Sequence, residues 1–430
     1  MITSAAATLR PNPWLACRSL PAAPGAVLAA LHLAEPGLGG LARLNDRDWR
    51  RALDYCDRSR TTLALRRAAR HLMPAWVRER TDGDAQRNAL RVRTVGDTYS
   101  AIAQCLGAGG IEFLALKGIA QCALFGTPAE ERVQYDIDLF TRPEIAQAAE
   151  TALRPLGYQR IPRMEGFPTD HLPTLILRNG WEWRGDFFDV TIPLSVDLHF
   201  RFWNDAVERI AVPGTEEFWD RRIHLRVAGA ELDVLRPVDA LAYAALHFLR
   251  HVLRGDALPF HGYEIASLLE SKADDVAFWN ERNVLHPAPL CRLQALAFRL
   301  AADWFGCRLA PAIDRDVAEL PPATLRWLAH YATSPLTAEF DSNKDELWLH
   351  LSLIPSRRDR WSVARRRLMP GNLPHDGSAV HIPEGELTWR KRVKFKLRHF
   401  AYLLRRARRH AVSLARTAYT GIGWWRRNSR

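Results

Sequence analysis

Asp136 and Asp138 stand one residue apart in the run Tyr135-Asp-Ile-Asp-Leu-Phe140. On an extended strand, residues two apart point to the same face, so the two carboxylates would sit side by side while Ile137 and Leu139 turn to a core. Neighbouring carboxylates suit a hard cation such as Mg²⁺, which takes oxygen ligands. Phosphoryl and nucleotidyl transfer ask a protein mainly to hold such ions and align the reacting oxygens. Asp197, in Ser195-Val-Asp-Leu-His-Phe200, offers a third carboxylate, as metal ligand or general base. His199 shares its strand face and can orient a carboxylate or an acceptor, or serve as a hydrogen-bonded structural histidine. Lys117-Gly118 follows the apolar run Ile111 to Leu116. There the glycine would let helix N-terminal amides approach phosphate and the lysine would add charge, the alternative being a solvated strand-end lysine. Arg132, four residues before Asp136, can reach a triphosphate oxygen, brace the carboxylates or remain a solvated loop residue.

The Asp-x-Asp spacing alone is weak, because it recurs along the chain. Asp46-Arg-Asp48 and Asp82-Gly-Asp84 have polar or turn-like surroundings and read as solvated surface; only Asp136-Ile-Asp138 lies in an apolar strand. The surrounding pattern supplies elements to position it. Residues 1–105 form an Ala-, Leu- and Arg-rich helical region. Residues 106–235 read as strand (Ile111–Leu116), helix, strand (Tyr135–Phe140), helix (Pro143–Leu156, closed by Gly157) and, about 60 residues later, a third strand around Asp197. Helical spacing returns over 236–350, a turn-rich linker is expected over 351–386 (Pro370–Pro374, Asp376–Ser378), and 387–430 is a basic tail.

Taken in order, Leu116-Lys117-Gly118, Arg132-x-x-x-Asp136-Ile-Asp138-Leu139 and Val196-Asp197-Leu198-His199 resemble the signature of the uncharacterised nucleotidyltransferase family. The resemblance runs loosely from Leu28 to Leu269 and is specific in its combination. It implies an α+β fold with the minimal core of DNA polymerase β-like nucleotidyltransferases, a mixed sheet flanked by helices, here with helical N- and C-terminal regions. It also implies an NTP substrate and two Mg²⁺ ions on Asp136, Asp138 and Asp197. Lys117-Gly118 departs from the Gly-Ser or Gly-Gly turn usual in the wider superfamily, which leaves the identity of the triphosphate open.

Bulk composition narrows the alternatives. There is no apolar run long enough to span a membrane and no basic leader before Ala22–Ala34, so a cytoplasmic chain is expected. The six cysteines show no C-x-x-C spacing, which disfavours a zinc framework or disulfide scaffold. His247 and His251 have zinc-ligand spacing on a helix, with His261 nearby, but a packed or solvated pair is the preferred reading. The fourteen Lys and Arg of 387–430, without one Asp or Glu, account for the net charge of +12 and leave the other 386 residues at −2. A near-neutral body disfavours a long RNA footprint, so a small molecule or biosynthetic intermediate is the expected acceptor. Within the tail, Val393, Leu397, Phe400, Leu404, Ala407, Ala411 and Leu414 form an apolar helical stripe among arginines, with Trp424 and Trp425 near its end. This predicts an anionic membrane surface as partner, ahead of nucleic acid. The competing functional class is a catalytically silent nucleotide-binding or membrane-surface scaffold.

Overall fold

A computed structural model describes residues 12–161, 170–370 and 389–428, except Ala16, Arg18 and Arg178. It is an α+β fold built on one mixed seven-stranded sheet and many helices. The strands are β1 (Leu114–Leu116), β2 (Asp136–Phe140), β3 (Tyr158–Arg160), β4 (Leu175–Leu177), β5 (Ser195–His199), β6 (Ile223–Val227) and β7 (Ala230–Val234), in the order β3-β4-β5-β2-β1-β7-β6. The β2/β5 and β1/β7 pairs are parallel, and the others antiparallel.

One face of this sheet makes the core. Ala115, Ile137, Leu139, Val196, Leu198 and Val234 alternate inward along their strands and are buried. Val95, Tyr99, Ile102 and Leu106, spaced by four, three and four residues on the Ala75–Ala108 helix, cover them. The same alternation sends Asp136, Asp138, Asp197 and His199 to the other face. The expected strand at 111–116 is thus shortened to its last three residues, while those at 135–140 and 195–200 appear nearly whole. Gly157 closes the Pro143–Leu156 helical segment with φ +89°.

The chain divides into two compact units, each assembled from separate stretches. One comprises Met1–Asp82, Leu241–Ala364 and Val412–Arg430, and the other Gly83–Ala240 with Arg365–Ala411. The sheet lies within the second. Helical stretches on both sides of the sheet in sequence therefore share the first unit. A helix occupies Arg357–Leu368 inside the span expected as linker; the turn-rich residues 371–374 and 376–378 lie outside the described residues. The basic tail forms a helix over Trp389–Asn428.

Candidate functional site

The loop before β2 is fixed from the long Ala75–Ala108 helix. Asn88 donates through Nδ2 to the carbonyls of Glu130 (2.7 Å) and Arg132 (3.1 Å). Buried Arg91 donates through Nε to Gln134 O (2.7 Å) and through Nη1 to Ile192 O (3.0 Å), which ties the starts of β2 and β5 together. Burial lowers the Arg91 pKa, opposed by Tyr135, Asp189 and Asp136. Gln134 performs the next step: its Oε1 accepts from the Ile119 amide (3.0 Å), and its Nε2 donates to Asp136 O (2.7 Å). The first turn of the Gly118–Phe125 helix is thereby joined to the strand that carries the aspartates.

β2 and β5 then bring the three predicted carboxylates onto one face. Asp136 is paired with Ser195 and Asp138 with Asp197, in parallel register. Asp138 is buried, with Lys117 Nζ 2.7 Å and His199 Nε2 3.0 Å from its Oδ1. Burial by itself would raise the Asp138 pKa, but the Lys117 ammonium and the His199 ring outweigh it and hold the carboxyl well below the usual carboxylate range. On His199, burial works against the charged ring, while hydrogen bonding to Asp138 and Asp170 prevails and raises its pKa. Asp170 Oδ2 lies 3.4 Å from His199 Nδ1, so Asp170, His199, Asp138 and Lys117 form a chain in which acidic and basic side chains alternate. Asp197 Oδ1 accepts from Thr174 Oγ1 (2.6 Å) and lies 3.8 Å from His171 Nδ1.

Lys117 adopts φ 50°, ψ −161°, a region that residues other than glycine rarely enter and that costs on the order of 1–3 kcal/mol. The strained backbone turns sharply from β1 into the helix, and the lysine ammonium meets Asp138 on the neighbouring strand. Gly118 follows with φ +57°, and a Cβ there would come within 2.4 Å of Gln134 Oε1. Glycine is required for close approach to Gln134 as well as for the turn. The Ile119 amide, one of those expected to face phosphate, is satisfied within the protein.

The structure thus gathers Lys117, Asp138 and His199 in direct contact and sets Asp136 and Asp197 on the same sheet face. Arg132 is half-buried at the end of the short Ala129–Glu131 turn, where its carbonyl is held by Asn88. Sequence reading missed Asn88, Arg91, Gln134, Asp170 and Thr174. The first two lie on a helix far from the motif in sequence, and Asp170 and Thr174 reach the site because residues 170–172 run beside β5 and β4 pairs with it.

The Asp-x-Asp spacings at 46–48 and 82–84 have structural roles. Asp46 accepts from Trp76 Nε1 at a helix start. Asp82 binds Arg66 and Arg70, while Asp84 is fully buried and pairs with Arg87 at 2.6 Å. Asp82 and Asp84 belong to the Ala75–Ala108 helix, which corrects the solvated, turn-like reading. His247 and His251 share a 3.2 Å contact between Nε2 atoms; His251 also meets Asp256 at 2.9 Å, and the His261 ring lies 4.7 Å from that of His251.

Among the described residues, no group of three or more His, Cys, Asp and Glu side chains is gathered to hold a metal. Asp136, Asp138 and Asp197 nevertheless put three oxygen donors on one face, the donor type that a hard cation takes.

The structure is an α+β protein whose mixed sheet carries acidic residues on the adjacent strands β2 and β5, with a strained Lys-Gly turn after β1. The chain belongs to the family described as uncharacterised nucleotidyltransferase, whose model matches residues 45–306. That match includes the whole sheet and the site. No curated protein matches the chain, and no solved structure does.

Proposed function

We propose that the chain is a Mg²⁺-dependent enzyme that moves a nucleoside monophosphate from an NTP to a small-molecule or biosynthetic acceptor. The observation that carries this reading is the register of β2 against β5, with Asp138 opposite Asp197, Asp136 on the same face and Lys117 against Asp138. Asp136, Asp138 and Asp197 would hold two Mg²⁺ ions. When bound, these would neutralise triphosphate charge and favour departure of pyrophosphate.

The protein residues have separable roles in this reading. His199, backed by Asp170, fixes the orientation of Asp138. Thr174 holds Asp197, which would serve as metal ligand or as the base that receives the proton of an attacking hydroxyl. Lys117, which meets Asp138 in the structure, would supply a positive charge to a triphosphate oxygen, and Arg132 would supply a second. The near-neutral charge outside the tail supports a compact acceptor over a long RNA.

Calorimetry with ATP, GTP, CTP and UTP, with and without Mg²⁺, tests the binding step. At least one NTP should bind more tightly with Mg²⁺, and Lys117→Ala should weaken that binding by about tenfold, the scale of one charge-assisted phosphate contact. Absence of binding by all four would remove the proposed activity and leave the scaffold reading. Unchanged affinity in Lys117→Ala would remove the lysine from the phosphate site.

A further inference from the structure

The Trp389–Asn428 helix is apolar on the face it turns outward. At about 100° per residue, Trp389, Val393, Leu397, Phe400, Leu404 and Ile422 fall within roughly 40° of one line. Between Leu404 and Ile422, the positions on that line are alanines. The row is exposed: Leu397 is 64% accessible, Phe400 61%, Leu404 55% and Ile422 56%. Ser413, Thr417 and Trp424, which are buried, lie on the opposite side. Within the helical unit, Trp424 stacks on Trp348 with ring centroids 6.3 Å apart, Thr420 bonds Asp345 and Arg416 pairs with Asp341. A Cβ on Gly421 would stand 2.9 Å from Trp348, so the packed face is also closely fitted.

This arrangement divides two roles that the sequence stripe had merged. Trp424, expected at a headgroup boundary, instead anchors the helix end to Trp348. The apolar row remains on the other face, flanked by Lys396 on one side and by Arg390, Lys394, Arg408 and Arg426 on the other. Its stretch from Trp389 to Leu404 extends about 22 Å at the rise of an α-helix. No acidic residue occurs anywhere in 387–430.

We propose that this outward face is a docking surface for an anionic lipid bilayer, on which the helix lies parallel to the membrane plane. A long apolar row bordered by cations satisfies both parts of such a surface: the apolar side chains enter the acyl boundary, and the lysines and arginines meet anionic headgroups. Nucleic acid would use the charge and leave the apolar row in water. No helix among the described residues is long and apolar enough to cross a membrane, which is compatible with a helix that lies on it. The proposal is independent of the nucleotidyl-transfer reading.

Co-flotation of the full chain with vesicles of phosphatidylcholine alone, or phosphatidylcholine mixed with phosphatidylglycerol, provides the test. The wild type should float with the anionic vesicles and remain behind with the neutral ones. Leu397→Glu/Phe400→Glu should reduce the floated fraction at least tenfold, with circular dichroism and the Trp348/Trp424 near-ultraviolet signal unchanged. Arg390→Glu/Lys394→Glu should also weaken flotation. Failure of the wild type to float, or normal flotation of the Leu397/Phe400 variant, would overturn the proposal. So would a wild-type dimer that this variant dissociates, because a second copy would then occupy the face.

Discussion

Replacement of Asp138 by Asn should destabilise the sheet unit, whereas the same change at Asp136 should not. Asp138 is buried and is the shared partner of Lys117 at 2.7 Å and His199 at 3.0 Å; the Lys117 side chain is only 12% exposed. The substitution keeps the size and one acceptor oxygen but removes the charge, leaving a mostly buried ammonium without its counter-charge. Breaking a buried ion pair from one side costs about 3–5 kcal/mol. Because asparagine can still accept a hydrogen bond, the lower end applies, about 3 kcal/mol. At roughly 2–4 °C per kcal/mol for a unit of this size, the expected fall in melting temperature is about 6–12 °C. Asp136 is half-buried at the strand start, and Asp136→Asn should melt within about 2 °C of wild type. Thermal denaturation at pH 7, followed by far-ultraviolet circular dichroism, compares them. Adding Lys117→Met to Asp138→Asn should recover part of the loss, since the unmatched ammonium is then gone. If Asp138→Asn melts with the wild type, or if the second substitution deepens the loss, the ion-pair reasoning is wrong.

Other perturbations separate the remaining links. Gly118→Ala should lower stability by more than about 1 kcal/mol, because its φ is +57° and the new methyl would meet Gln134; an unchanged urea midpoint would contradict that contact. The Asp138 contribution to stability should be present above the unfolded carboxylate pKa of about 3.9 and be lost as pH falls through its lowered folded value. The His199 contribution should be full below about pH 6.5 and be lost as pH rises through its raised folded value, so His199→Gln should flatten the alkaline limb of melting temperature against pH. An identical alkaline limb in that variant would refute the assignment. Asp197→Asn should reduce turnover by about two or more powers of ten while leaving NTP affinity much less affected; near-normal turnover would remove it from the reaction.

The sequence made the central strands and their carboxylates legible because two physical signals coincide there. Period-two alternation specifies which side chains face the core, and Asp136-Ile-Asp138 and Val196-Asp197-Leu198-His199 carry acids on the other parity. The short outer strands were harder to read: β3 and β4 each have three residues and their partners are set by tertiary contact. The β6/β7 hairpin had a usable signal in its alternating residues around Ala228-Gly229, both at positive φ, the backbone that a tight hairpin requires. Lys117 was found as a charged residue beside glycine, but its strain and its contact with Asp138 depend on the β1-to-helix turn. Asp170 was invisible for a related reason, since it meets His199 only after residues 170–172 align with β5.

Pyrophosphate release is the most direct measure of the proposed chemistry. Each α-labelled NTP should be incubated with Mg²⁺ and a small-molecule extract as the source of acceptor, using wild type and Asp136→Asn, the carboxylate variant expected to retain its fold. Wild type should release pyrophosphate from at least one NTP and transfer the label to an acceptor only when Mg²⁺ is present, while folded Asp136→Asn should lose at least about two powers of ten in rate. Pyrophosphate release by Asp136→Asn at the wild-type rate, or no release by folded wild type from any NTP across the acceptor fractions, would contradict the account.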